Sequence, residues 1–291
     1  MEENNSLKVI IFSTQHGGHG ILAIEKLLSS GFFIGNLYVV TENNAKNEML
    51  INFLKLYQIK YQCYEKTAFD FAEIVKKLNG VDIIVSVVNR IIIKSDWTKL
   101  CTLGAINLHP GLLPFYKGFF SIPWAIVNNE EYAGWSYHYI TDEIDGGNII
   151  LADKVKIAAN DNSFTLHFKV HLDAINHISN AIELLKQKIK GRKQKEEGNY
   201  YKVLPNEGYL DLSWSDEKIR LYDKAFFFPP FFYSLIKQND QDIIVNDIEM
   251  LLNNIDTERE REREREILLI ILEYFFLAWA KKTAFIRTVG Y

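Results

Sequence analysis

Two short segments carry side chains that could do proton chemistry: Asn107-Leu-His109-Pro-Gly and, further along, Asp142-Glu-Ile-Asp145-Gly-Gly. The first closes an apolar run with period-2 alternation, so Asn107 and His109 fall on one face of a strand and Ile106 and Leu108 on the other. Pro110-Gly111 ends that strand. An amide and an imidazole are thereby left together at a strand's carboxyl end, where open parallel sheets bind ligands. A histidine titrating near neutrality can accept or relay a proton. An amide N–H and a protonated imidazole can stabilise an oxyanion, and a carboxylate can set the imidazole's tautomer and support its positive charge. Together the three groups suit acyl transfer to an amine, which must lose a proton while a tetrahedral intermediate carries the oxyanion; no serine or cysteine nucleophile is required. Taken singly, each segment is more often turn chemistry than catalysis, with Pro-Gly closing one and Asx capping shaping the other.

The elements that must position these groups follow from hydrophobic periodicity. Residues 7–13 read as a buried strand, a Gly17-Gly18-His19-Gly20 turn follows, and a helix runs over about 21–28. The alternation continues with strands at 37–40, 61–64 and 82–88, helices at about 45–56 and 69–78, and then the strand at 106–109. This predicts an α/β fold, a Rossmann-like and mostly parallel sheet flanked by helices. A helix at 120–127, strands at 135–140 and 149–157, and a long helix at about 163–190 with Ser163 as its N-cap complete a catalytic unit over 1–195. A small C-terminal α+β module is expected over 196–256, with a hairpin in 199–214, a helix at 216–227 broken by Phe228-Pro-Pro, and a strand at 242–248. Residues 257–291 form a Glu/Arg repeat and an apolar tail.

Composition narrows the function classes. The 291 residues hold 33 Lys plus Arg against 37 Asp plus Glu, a formal charge of -4. A general nucleic-acid surface would need a clustered basic excess, so none is expected. Two cysteines without metal spacing and an acidic, polar N-terminus fit a reduced, cytoplasmic protein. In the strict alternation of 258–266, opposite charges meet at i,i+3 and like charges at i,i+4, so a solvated segment is expected. The apolar run 267–280 is interrupted by Glu273 and falls short of the roughly 20 residues a bilayer helix needs, so no membrane span is expected. His167 and His171 stand at i,i+4 with His177 nearby, the spacing of two metal ligands on a helix. With no glutamate between them they read as helical surface histidines, and no metal is expected. Trp124, Trp135 and Trp214 read as core or interface aromatics.

A wider pattern adds a resemblance. Asn107-x-His109-Pro-Gly-Leu-Leu-Pro114-x-Tyr-Lys-Gly118, then Pro123-Trp-Ala-Ile126, then Asp142-Glu-Ile-Asp145-Gly-Gly-Asn-Ile resembles the enzymes that transfer a formyl group from 10-formyltetrahydrofolate. The similarity is strong over 80–157 and extends by element order through the first 190 residues. It implies the formyltransferase fold and a catalytic trio of Asn107, His109 and Asp145. It also implies a folate co-substrate lying between the loop of Val88, Asn89 and Arg90 and the loop of Ile140, Thr141, Asp142 and Glu143, with no metal.

Residues 200–208 followed by 225–230 look like the region after the catalytic domain in bacterial nucleotide-sugar N-formyltransferases. That branch implies transfer to the amino group of a dTDP-linked (less often UDP- or GDP-linked) 3- or 4-amino-dideoxyhexose for surface polysaccharide such as O-antigen. It further implies a homodimer through the C-terminal module, with neither nucleic acid nor membrane as partner. In that reading Lys117 contacts the diphosphate, and Tyr116, Phe119 and Phe120 wall the sugar or stack the base. The Gln15-His16-Gly-Gly turn opening a helix offers backbone N–H groups to an anion, with His16 beside it. Two alternatives remain: a methionyl-tRNA formyltransferase-like enzyme, which needs a basic RNA surface, and an inactive folate-binding protein.

Overall fold

A computed structural model describes residues 6–15, 17–195, 198–238 and 241–256. His16, the Glu/Arg repeat and the apolar tail, all named above, lie outside the described residues.

The deepest strand is the apolar run β1 (Val9–Phe12), buried at all four positions because helices cover both faces of the sheet around it. The strands β2 (Leu37–Thr41), β3 (Lys60–Cys63), β4 (Val81–Val87) and β5 (Cys101–His109) run parallel to it in the order β3-β2-β1-β4-β5. Two further strands, β7 (Tyr132–Tyr139) and β8 (Ile149–Lys156), extend the sheet antiparallel beyond β5, giving seven strands. The chain order reverses at β1, which pairs with β2 on one side and β4 on the other. The connections leaving β1 and β4 therefore depart to opposite faces and open a crevice at the carboxyl ends of these strands.

Helices fill both faces. On one face α1 (Gly17–Ser29), α6 (Ser163–Asn176) and α7 (Ile178–Lys186) bury Ile24, Leu27, Leu166, Val170, Ile178 and Leu185 against Ile11, Val85 and Ile106. On the other, α3 (Phe71–Lys77) packs Phe71 and Ile74 against Ile10, Phe12 and Ile84, with Trp97 from the short α4 (Ser95–Thr98) stacked on Phe12 and Phe71. The helices α2 (Glu48–Leu56) and α5 (Ser121–Val127) add Leu50, Leu54, Ile122 and Ile126 to the first of these clusters, and the two-residue strand β6 (Lys117–Gly118) precedes α5.

Several sequence expectations need correction. The first helix begins at Gly17 rather than at 21, because a side chain at Gly17 would come within 2.9 Å of Leu50 Cβ and at Gly20 within 2.8 Å of Ser13 Oγ; the glycines are helix residues at close packing contacts, not a turn. The long helix divides at His177, whose backbone (φ -100°, ψ 5°) leaves the helical region between α6 and α7. Asn162, not Ser163, caps α6: its side chain accepts from Thr165 N–H while Thr165 Oγ1 accepts from Asn162 N–H, a reciprocal capping box. Ser163 instead donates its hydroxyl to Ala225 O at 2.6 Å, a tertiary bond no local rule anticipates.

The C-terminal segment differs most from expectation. In place of a hairpin at 199–214, β9 (Tyr200–Tyr201) pairs in parallel with β6, and Pro205–Gly208 forms a 3-10 turn. The hairpin lies later, between β10 (Leu235–Gln238) and β11 (Gln241–Ile244). The helices α8 (Asp216–Phe226) and α9 (Ile248–Asp256) flank it, and Ile219, Phe226, Ile236, Ile243 and Leu252 join the same hydrophobic cluster as the sheet residues. Among the described residues no helix is long and apolar enough to cross a membrane.

Candidate active site

The carboxyl end of β5 meets the carboxyl end of β4 and the middle of β7, and this register brings the reactive side chains together. Asn107 pairs with Ser86 on one side and with His138 on the other. Asn107 Nδ2 lies 3.1 Å from His138 Nε2. His138 Nδ1 lies 2.9 Å from Tyr139 O; a carbonyl only accepts, so Nδ1 carries the hydrogen and Nε2 accepts from the amide. The amide has two N–H groups, and with one on His138 the other can serve an oxyanion.

Asp145 arrives from the loop after β7 and is buried between two imidazoles. Its Oδ2 is 3.5 Å from His109 Nδ1 and its Oδ1 is 3.4 Å from His138 Nε2. Gly118 N–H donates to Oδ2 at 2.8 Å, and Gln194 Nε2 holds the Asp145 carbonyl at 2.7 Å. Gly118 has φ +84°, and a Cβ there would approach Tyr201 O at 2.5 Å, so the bond that orients the carboxylate needs a glycine. Burial alone would raise the Asp145 pKa, but the neighbouring His109, the His138 contacts and the Gly118 N–H outweigh it and hold the carboxyl below the usual range.

His109 is fully enclosed. Burial pushes its pKa down, the Asp145 carboxylate opposes that, and the net shift is downward, so the imidazole is neutral at neutral pH. Its Nε2 donates to Tyr116 O at 2.7 Å, leaving the Nδ1 lone pair toward Asp145. Protonating Nδ1 converts that approach into an ion pair. The site thus holds a neutral base beside the carboxylate that would stabilise its conjugate acid.

These groups open onto a cavity of about 910 Å³ that reaches the crevice between the β1 and β4 loops. Four residues around it, Val88 (φ 47°), Tyr116 (φ 57°), Phe120 (φ 59°) and Asp145 (φ 53°), adopt the left-handed conformation, which is costly for side chains and concentrates at functional loops. At Val88 this turns the carbonyl to accept from Thr14 N–H and Gln15 N–H at 3.3 and 3.1 Å, tying the two loops together. Asn89 Oδ1 reinforces the tie by accepting from Thr14 Oγ1 at 3.0 Å.

The structure sorts the residues expected from sequence. Asn107, His109 and Asp145 line the cavity together. So do Val88, Asn89, Arg90, Ile140, Thr141 and Glu143, whereas Asp142 does not. Arg90 Nε donates to Glu42 Oε1 at 3.0 Å, which commits its guanidinium to a second loop. Phe119 and Phe120 line the cavity, but Tyr116 and Lys117 do not. The Tyr116 hydroxyl donates to Glu130 at 2.6 Å, away from the site, and Lys117 Nζ reaches Glu143 at 3.4 Å.

Sequence reading passed over three contributors. His138 is one; its signal was the alternation of β7, which sets His138 on the face opposite Tyr137 and Tyr139. The second is the aromatic set Phe228, Phe231 and Phe232 from the segment after α8, with Phe232 edge-on to Phe120 at 6.0 Å. The third is the pair His167 and His171, read as surface residues; His171 is in fact buried at 2% exposure, and both line the cavity.

Comparison with known proteins agrees with this architecture. Residues 8–182 match the formyl transferase family. GDP-perosamine N-formyltransferase of Brucella melitensis is 31% identical over 238 residues, covering 80% of this chain and 92% of that protein. Among solved structures, a 4-N formyltransferase from Francisella tularensis superposes with a TM-score of 0.64 at 21% identity, over 82% of this chain and 96% of the other. The N-formyltransferase from Helicobacter canadensis, solved with folinic acid and dTDP-3-aminofucose, gives 0.60 at 21% identity, over 82% and 86%.

Proposed function

The chain is an enzyme of the formyl transferase family, and from that premise we propose that it moves a formyl group from 10-formyltetrahydrofolate to the amino group of a nucleotide-linked amino-dideoxyhexose used for surface polysaccharide. The observation that carries the reading is Asn107 set together with the buried His109, His138 and Asp145 on the floor of a cavity large enough for two ligands. The folate lies between the Val88–Arg90 and Ile140–Glu143 loops, and the sugar reaches His109 from the side of Phe119 and Phe120.

The steps balance as follows. The sugar amine attacks the formyl carbon, forming a C–N bond as the carbonyl pair moves onto oxygen. The second Asn107 N–H stabilises that oxyanion. The neutral His109 imidazole takes the amine proton, and Asp145 stabilises the resulting cation. As the oxyanion collapses, the bond to N10 of the folate breaks and the proton passes to that nitrogen, giving an amide and tetrahydrofolate.

For the nucleotide, dTDP is the sequence expectation, and a second reading, GDP, is favoured by the name of the relative at 31% identity. A panel of dTDP-3-amino, dTDP-4-amino and GDP-4-amino sugars, each incubated with the enzyme and 10-formyltetrahydrofolate, decides between them by mass spectrometry. One member is expected to gain the mass of a formyl group. Binding of folate with no formylated product from any member would overturn the reading. A homodimer through the C-terminal module belongs to the same proposal and is read by sedimentation; Phe226 and Phe228 pack inside the chain, whereas Phe227 is exposed.

A further inference from the structure

Three histidines from two helices meet beside the cavity, two of them, His167 and His171, in its wall. His19 comes from the first turns of α1, and His167 and His171 stand one turn apart on α6. One ligand nitrogen from each lies within 4.8 Å of the others, and the ring centroids are 4.0, 4.9 and 5.2 Å apart. His19 and His171 are buried, at 3% and 2% exposure. The packing of α1 against α6 creates this cluster, which the spacing on α6 alone only hints at.

The surroundings give the cluster the features of a ligand set. His171 Nδ1 donates to His167 O at 2.8 Å, which fixes the tautomer and makes Nε2 the nitrogen with the lone pair, the arrangement typical of a metal-ligating imidazole. Phe168 stacks on His19 at 5.3 Å, and Phe228 stands edge-on to His167 at 4.9 Å, so aromatic packing sets the planes of these rings. A set of three imidazole ligands suits a borderline divalent cation and discriminates against calcium and magnesium, which take oxygen ligands. Tetrahedral Zn–N bonds place ligand nitrogens roughly 3.3 Å apart. Binding would therefore draw the three nitrogens, now within 4.8 Å of one another, closer together by up to about 1.5 Å. Because His167 and His171 line the cavity, the remaining coordination position would open to whatever fills it.

We propose that His19, His167 and His171 form a three-histidine binding site for a borderline divalent cation of the zinc class, one per chain. The site stands independently of the formyl-transfer chemistry, since no trio residue belongs to it.

The test uses the purified, metal-stripped full chain titrated with Co2+ and, separately, Zn2+. Saturable binding of one Co2+ is expected, with the visible absorption of a low-coordinate nitrogen site, displaced by Zn2+. His167→Gln, His171→Gln and His19→Gln are each expected to weaken binding at least ~10-fold, while His177→Gln does not, because His177 packs on Trp135 and bonds Asp173 O instead. Zn2+ is expected to raise the melting temperature of the wild type and not of His167→Gln. His167 is the least buried of the three, so that variant serves if the other two fail to fold. No saturable binding by the wild type, or binding that His167→Gln leaves unchanged, would overturn the proposal; the three rings would then be aromatic packing only.

Discussion

The floor of the cavity and its aromatic wall are built on different principles. On the floor, Asn107, His109 and His138 stand on the adjacent strands β5 and β7 and Asp145 in the loop after β7, and each side chain is within reach of a named partner. The wall takes Phe119 and Phe120 from the loop before α5 and Phe231 and Phe232 from the segment after α8. It is held by ring contacts and by Lys46 Nζ at 4.5 Å from the Phe231 ring. Hydrogen bonds have directions and cannot slide without being lost, whereas ring contacts tolerate shifts and substitution. A floor of this kind suits one reaction held constant, and a wall of this kind suits acceptors that differ.

The contrast is testable in order of effect. Removing the base or its carboxylate strikes the floor hardest: His109→Asn and Asp145→Asn are each expected to lower kcat by about 10²-fold or more, with melting temperature and folate binding retained. Steady-state kinetics showing near-normal kcat in both would collapse the distinction.

His138→Gln is expected to cost less, roughly 10-fold in kcat, below the ~10²-fold floor of direct general acid–base effects, because His138 acts through Asn107 and Asp145. It also changes the pH profile. Burial lowers the His109 pKa below its ordinary 6.5, and His138 adds to the lowering. Activity needs the neutral base, so it falls as pH drops through the folded-state pKa, and the acid limb of kcat is expected below pH 6.5. In His138→Gln that limb is expected to move up toward 6.5. The same shift works on stability: a histidine whose folded pKa is depressed contributes nothing above 6.5 and destabilises the fold as pH falls below it, so His109 opposes folding only on the acid side.

The wall is expected to respond most weakly. Phe231→Ala removes a ring that is 40% exposed, and about 1 kcal/mol of lost contact corresponds to a rise of roughly 5-fold in KM for the amino sugar. The folate KM and kcat are expected to stay put. A kcat effect as large as that of His138→Gln would show that wall and floor act as one unit.

Much of the floor was legible in the sequence because its chemistry is local. Asn107 and His109 alternate within one strand, and Asp145 follows in a loop whose Gly-Gly is required: a side chain at Gly147 would stand 1.8 Å from Tyr139 O. The strand itself was read too short. β5 begins at Cys101, but Gly104 (φ +115°) and the register shift opposite Val81–Ile83 hide its first half from a periodicity argument. The wall was half legible, since Phe119 and Phe120 flank the motif while Phe228 to Phe232 lie about a hundred residues later in the chain.

Local pattern was enough for the α/β element order, the buried runs and the Asn-x-His pair, because side-chain periodicity is a property of neighbouring residues. It could not place His138 beside Asn107, bring His19 against His167 and His171, or send Ser163 to Ala225 instead of capping its own helix. Those contacts join residues far apart in the chain. They depend on which strand occupies which place in the sheet and on how helix faces fit together, and many sequences of turns and helices with the same local pattern are compatible with other answers.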